Sequence, residues 1–243
     1  MQTQIVYEDE AVLVIRKPAS LATESAGIGQ KDVVSELKNY VAKKNPGKMP
    51  YLGVVHRLDQ PVEGLLVFAK TKKAAENLTA QLGKGTLKKE YLAVVCGKVP
   101  ENTGRLVDYL AKEKGMTVVK EVADAQTEKA ADPKVKQAAE PQAKKAVLTY
   151  TKKAETEKLT LLAVQIETGR FHQIRAQLSH AGFPILGDEK YGSEESKELS
   201  REKKIRFTAL CAASLSFRHP VTGKVMMFTQ TPQNPAFADF VTE

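Results

Sequence analysis

Apolar residues fall in short bursts along this chain, and their spacing alternates between the period of a strand and the period of a helix. From Ile5 to Lys17 the pattern predicts two short strands, with Glu8-Asp9-Glu10 as the turn and AVLVI as a mostly buried second strand before Pro18. Ser20-Leu21-Ala22-Thr23 begins a loop. From Lys31 to Lys44, Val34, Leu37 and Val41 stand at helical spacing, and Asn45-Pro46-Gly47 stops that helix.

The stretch VVHRLDQPVEGLLVFAKT, from Val54 to Thr71, follows. Its apolar run Leu65-Leu66-Val67-Phe68-Ala69 is far too short to cross a membrane, so it predicts a buried strand with charged residues at the rim of a core. Thr71 is a good N-cap for a helix whose apolar face is Ala74, Ala75, Leu78 and Leu82 and which ends near Gly83. Lys84 to Lys89 is a basic connector. Strands are expected at Tyr91 to Val95, Ala146 to Lys152 and Leu159 to Glu167, and a helix at His172 to Ala181 with Gly182 and Pro184 as its stop. Strands and helices mix without a βαβ repeat, which predicts an α+β fold.

One segment cannot join a core. Lys120 to Lys145 is rich in Ala, Lys, Glu and Gln, contains two prolines and lacks aromatic residues, so residues 120–145 are expected to form a mobile surface insertion.

Composition narrows the partners. Lys and Arg outnumber Asp and Glu by 37 to 29, a net charge of +8, which favours a polyanion without naming one. The two cysteines, Cys96 and Cys211, sit among apolar neighbours and suit a reducing compartment. With neither a signal-peptide pattern nor a membrane-length apolar run, the cytoplasm is the expected location, and a monomer the expected state.

Several residues could carry chemistry. Asp59 lies at a loop-to-strand junction with Arg57 two residues before it and Gly64 close behind; it is either a structural ion pair or a catalytic carboxylate. Arg175 falls close to an apolar helix face, as half of a buried salt bridge or as the partner that keeps a catalytic carboxylate ionised. Tyr91, with Lys88 and Lys89 beside it, is a core aromatic or a stacking surface for a base with phosphate contacts nearby. Thr168-Gly169-Arg170 followed by His172 and Gln173 forms a turn opening a helix, a place where backbone N–H groups and Arg170 could meet a phosphate. His56, His172, His180 and His219 show no metal-ligand spacing, and neither a GxGxxG, a GxxxxGK[ST] nor a GxSxG motif occurs.

Taken together, four ordered stretches resemble the RluA-type RNA pseudouridine synthases: RKPASLAT, HRLDQPVEGLLVFAKT, KKEYLAVVCGKV and ETGRFHQIRAQLSHAGFPILGDEKYG. The resemblance implies a single catalytic domain over 1–243 without a separate N-terminal RNA-binding domain. The implied fold is a bent, mixed, largely antiparallel sheet with flanking helices and a central catalytic cleft. The implied activity converts chosen uridines of ribosomal or transfer RNA to pseudouridine with no metal and no cofactor.

By the same resemblance Asp59 is the essential aspartate, Tyr91 the active-site tyrosine and Arg175 the arginine that pairs with the aspartate. Arg57 enters the RNA stack in place of the flipped uridine, and His56, Arg170, His172 and Gln173 are on the RNA-facing side. The chain departs from the family pattern at Val62-Glu63-Gly64, where Thr-Ser-Gly is common, at Ser20, where Gly is usual, and at Cys211, where many members have His. Two other functions fit the same residues: an RNA-binding protein that has lost catalysis, and an N-glycosidase that would leave abasic RNA.

Overall fold

The computed structural model describes every residue except 26, 28, 45, 48, 121–142 and 241–243. The expected insertion at 120–145 therefore falls almost wholly outside the described residues; Lys120, Lys144 and Lys145, at its ends, are strand residues. In chain order the elements begin with β1 (Gln4–Glu8), β2 (Val12–Lys17), α1 (Val33–Lys44), β3 (Gly53–Val54), β4 (Glu63–Ala69), α2 (Lys72–Gly83) and β5 (Lys88–Cys96). They continue with β6 (Thr103–Glu113), β7 (Met116–Lys120), β8 (Lys144–Glu155), β9 (Leu159–Ile166), α3 (Gln173–His180), α4 (Glu194–Glu202), β10 (Leu210–Arg218) and β11 (Val225–Thr229). Two compact units result: Met1–Leu92 with Phe207–Ala238, and Ala93–Arg206 with the residues from Asp239.

In the first unit β4 is the organising strand, and all seven of its residues are buried. β2 pairs with it antiparallel along its whole length, from Val12 opposite Ala69 to Lys17 opposite Gly64. Its other edge is shared: β10 runs parallel beside Glu63 and Gly64, and β3 runs antiparallel beside Phe68 and Ala69. One face of these strands presents Val12, Val14, Leu65, Val67, Leu215 and Phe217 to Ala74 and Leu78 of α2. The opposite face, Leu13, Ile15, Leu66 and Phe68, is buried too, which is why the sequence of β4 reads as an unbroken apolar run instead of an alternation. Thr71 caps α2 as expected, its hydroxyl accepting from the Ala74 amide at 3.1 Å.

The second unit is antiparallel. β6 forms a hairpin with β7 across Lys114 and Gly115, whose φ values of 43° and 79° suit a two-residue hairpin turn, and β8 pairs with β6 on one side and β9 on the other. Helix α3 lies against β6 and β7. Across both units the pairings described above are antiparallel except β4 with β10, so the sheet structure is mixed and largely antiparallel, as expected. The strands β6, β7, β10 and β11 and the helix α4 were not predicted by the spacing of apolar residues.

Gly64 is fixed by the parallel contact. Its φ is +140°, and a Cβ there would stand 2.5 Å from the Ala212 amide nitrogen and 2.7 Å from its Cα, both backbone atoms that cannot yield without parting β4 from β10. Gly64→Ala is expected to destabilise the protein by about 1–3 kcal/mol in chemical denaturation, an overpacking cost added to a strained φ. Gly83→Ala, at a helix end with no heavy atom within 4 Å of the added carbon, should change stability by less than about 1 kcal/mol in either direction. Equal effects at the two sites would show that β10 is not held against β4.

Candidate active site

β3 lies beside the far end of β4, so the connection 55–62 must run back along roughly 17 Å of strand before β4 begins. Apolar anchors hold it down: Val55, Leu58 and Val62 are buried. His56, expected on the RNA-facing side, is instead only 8% exposed, and its Nε2 accepts from the Val67 amide at 3.3 Å, tying the connection to the middle of β4. Burial, and then the charge of Lys89, hold this imidazole's pKa well below its usual value, so it is neutral. Arg57 points outward with its side chain 69% exposed and stands 3.7 Å from Glu24.

Asp59 is half-buried, and the backbone on both sides of it is pinned. Before it, the buried Thr23 hydroxyl donates to the Leu58 carbonyl at 2.8 Å and accepts from the Leu58 amide at 3.1 Å. After it, Lys17 Nζ donates to the Gln60 carbonyl at 3.0 Å while also donating to Leu21 at 2.6 Å and Pro18 at 2.9 Å. Lys17 is 0% exposed. Burial draws its pKa down to about 7, against the pull of Asp59 and Glu63 upward. Three donated hydrogen bonds require all three ammonium hydrogens, so the geometry is that of the charged form. Apolar periodicity carries no sign of this role, because a lysine at a strand end ordinarily lies at the surface.

Two of the three departures from the family pattern meet one another. Glu63 and Cys211 are register partners in the parallel pair of β4 and β10, and both are buried. Glu63 Oε1 accepts from the amides of Gln233 and Asn234, each at 2.9 Å, so its carboxylate is committed to the C-terminal segment. Burial raises the Glu63 pKa; those amides, Arg16 and Lys17 pull it back. Burial, and then Glu63, push the Cys211 thiol up to about 12, and Gln230 bridges the group by donating to Cys211 Sγ at 3.0 Å and accepting from Arg16 Nε at 2.6 Å. Cys211 is a packed, protonated thiol.

Tyr91 on β5 is buried, and burial followed by the charge of Asp59 raises its phenol pKa far above the usual value. Tyr91 and Asp59 thus lie within electrostatic reach of each other. Lys89, two residues before Tyr91 and so on the same face of β5, is half-buried, and burial alone draws its pKa down to about 8.

In the second unit, Arg175 is 4% exposed, and its Nε and one terminal nitrogen donate to the two oxygens of Asp188 at 2.7 and 2.8 Å. Its guanidinium also sits 5.1 Å from the Tyr191 ring centroid. Tyr191 in turn reaches His172: its hydroxyl accepts from the Thr117 amide at 2.7 Å and lies 2.8 Å from His172 Nδ1. His172 opens α3 with φ of 52° and no side-chain cap, and its ring stacks on Phe171 at 3.7 Å.

Gln173, expected on the RNA-facing side, is 3% exposed, and its amide is spent internally: Oε1 accepts from Thr168 Oγ1 and the Arg170 amide, and Nε2 donates to the Val147 carbonyl. Arg170 is exposed, with Nε donating to the Lys145 carbonyl at 3.1 Å. Asp188 and Tyr191 were quoted within GDEKYG without a role; their importance depends on which residues they touch, which sequence spacing does not carry.

Known proteins resemble this chain over most of its length. The model of the RNA pseudouridylate synthase family matches residues 11–180. A ribosomal large subunit pseudouridine synthase D of Zymomonas mobilis subsp. mobilis is 32% identical over 95% of this chain and 70% of its own length. A tRNA pseudouridine synthase C of Haemophilus ducreyi is 30% identical over 91% of this chain and 88% of its own. Among solved structures, human RNA pseudouridylate synthase domain containing 4 superposes with a TM-score of 0.72 at 24% identity, over 95% of this chain and 89% of that one, a likeness of fold.

Two substitutions test the supports. Thr23→Val keeps the shape but leaves both backbone groups of Leu58 without their partner, and is expected to cost about 1–3 kcal/mol and to speed hydrogen exchange of the Leu58 amide. An unaltered exchange rate would show that Thr23 does not pin the Asp59 connection. Asp188→Ala removes the acceptors of two buried guanidinium hydrogen bonds and should cost about 3–5 kcal/mol by chemical denaturation; a loss below 1 kcal/mol would mean that the pair is not what holds Arg175.

Proposed function

We propose, since the chain belongs to the RNA pseudouridylate synthase family, that it isomerises uridines of ribosomal or transfer RNA to pseudouridine, acting as a cytoplasmic monomer with Asp59 as the essential carboxylate. The observation that carries this is the support of Asp59: a half-buried carboxylate on a connection held at Leu58 and Gln60, within electrostatic reach of a buried tyrosine. Held so, the carboxylate needs little ordering when substrate arrives.

The reaction breaks the bond between ribose C1′ and uracil N1, turns the base while it remains bound, and joins C1′ to C5; the hydrogen on C5 leaves as a proton. The Asp59 carboxylate starts this either as nucleophile or as the base that removes the ribose 2′ proton. Tyr91 packs on the uracil ring; its raised pKa keeps the phenol protonated at neutral pH, so it donates a hydrogen bond and does not begin as a base. Arg57, exposed on an otherwise fixed connection, fills the gap in the RNA stack and offsets part of the few kcal/mol that flipping costs. Arg175 keeps the catalytic carboxylate ionised, and its own orientation is supported by Asp188. Arg170 and His172 contribute to the RNA-facing wall, with Gln173 as their brace.

RNA labelled with tritium at uridine C5 provides the test, because isomerisation must expel that hydrogen. The wild-type protein should release tritium from unmodified ribosomal or transfer RNA. Asp59→Asn should release none while binding RNA within about threefold of wild type, since phosphate contacts carry most of the affinity. Turnover by Asp59→Asn near the wild-type rate would sink the assignment, and abasic product from the wild type would replace it with an N-glycosidase.

A further inference from the structure

Lys89 has no counter-charge. Among the described residues no hydrogen bond or ion pair reaches its ammonium, and burial is the single influence on its pKa, with no neighbouring carboxylate to offset it. The other described cations of the first unit that are not exposed are satisfied at close range: Lys17 by three carbonyls, Lys70 by Glu8, and Arg16 by Gln230. Taking an ammonium partly out of water with nothing to pair it is destabilising, and a folded protein keeps such a group where a ligand completes it.

The surroundings indicate what the ligand is. Lys89 shares a face of β5 with Tyr91, which feels the charge of Asp59, while the charge of Lys89 is felt by His56, three residues before Asp59. His56 supplies a second unmatched donor. Its Nε2 accepts from the Val67 amide, which leaves the ring hydrogen on Nδ1, and Nδ1 is buried without a partner. A cation and an N–H, neither with an acceptor, thus occur together at the edge of the Asp59 connection.

We propose that Lys89 binds a phosphate of the RNA strand next to the target uridine, so that the nucleotide is held by its backbone while Asp59 and Tyr91 engage its sugar and base. This rests on the proposed activity and deepens it, by naming a substrate contact on the catalytic side of β5. Lysine suits the task as a point charge that does not demand a bidentate geometry. A phosphate would complete the ammonium.

The test compares wild type, Lys89→Met and Lys89→Arg, with binding of an unmodified RNA substrate measured across a salt series and tritium release measured alongside. Loss of one phosphate contact should make the slope of log affinity against log salt shallower by about 0.7–0.9 in Lys89→Met and should raise KM about tenfold, while Lys89→Arg keeps the wild-type slope. Melting separates this from a structural role: removing an unpaired ammonium leaves Tm unchanged or higher. An unchanged slope, or a lowered Tm with the slope unchanged, overturns the proposal. A wild type that releases tritium alongside an unchanged slope in Lys89→Met keeps the proposed activity and removes Lys89 from it. A wild type that binds RNA with the Lys89-dependent slope but releases no tritium does the reverse, and one that does neither overturns both.

Discussion

The buried ammonium of Lys17 ties two loops together through three carbonyls, of which Pro18's also accepts from the Leu21 amide at 3.4 Å. Pro18 and Leu21 belong to the turn leaving β2, and Gln60 belongs to the connection that carries Asp59. Three inward carbonyls are costly without a partner, and so is a buried cation, but together they satisfy each other. The arrangement depends on β2 reaching the start of β4, where Lys17 stands opposite Gly64. Glycine at that point lets β10 close on the other side. From there the C-terminal segment is drawn in through Glu63, whose single oxygen accepts from two successive amides. Strand pairing, loop fixation and the position of the carboxylate are therefore parts of one constraint.

How far this was legible in the sequence depended on whether burial followed a period. The unbroken apolar runs of β2 and β4 and the apolar faces of α1 and α2 announced themselves because each element buries apolar residues at its own repeat. β6 did not, because its first half alternates between exposed and half-buried positions with few apolar residues turned in. Its hairpin partner carried one readable sign, Lys114-Gly115, where both residues take positive φ. α4 buries only Ser196 and Ser200, and what holds it is the Ser200 hydroxyl accepting from the Gly187 amide, a polar contact with no hydrophobic period.

The candidate site divided in the same way. Asp59, Tyr91 and Arg175 were singled out because each is a conspicuous residue type at a junction or on an apolar face. Their supports were silent: Thr23 fell in an expected loop, Lys17 at the end of an expected strand, and Asp188 and Tyr191 inside a family-like stretch with no role of their own. Glu63 and Cys211 stood as two unrelated departures 148 positions apart in the chain, 211 less 63, until the parallel register of β4 and β10 made them neighbours. Seen together they are a single alteration of one buried spot, with Gln230 and Arg16 completing it.

Arg57 contrasts with everything around it. Its neighbours His56 and Leu58 are immobilised by β4 and by Thr23, yet its own guanidinium is held by one long contact to an exposed carboxylate, at 3.7 Å. Such a pair in water contributes next to nothing and is weakened further by salt. An exposed side chain changes rotamer in picoseconds to nanoseconds, far faster than a nucleotide leaves a structured RNA. Arg57 is thus a mobile arm on a rigid post. If it fills the gap in the RNA stack as proposed, the clock for base extraction belongs to the RNA: weakly stacked loops would be served quickly and firm helices slowly.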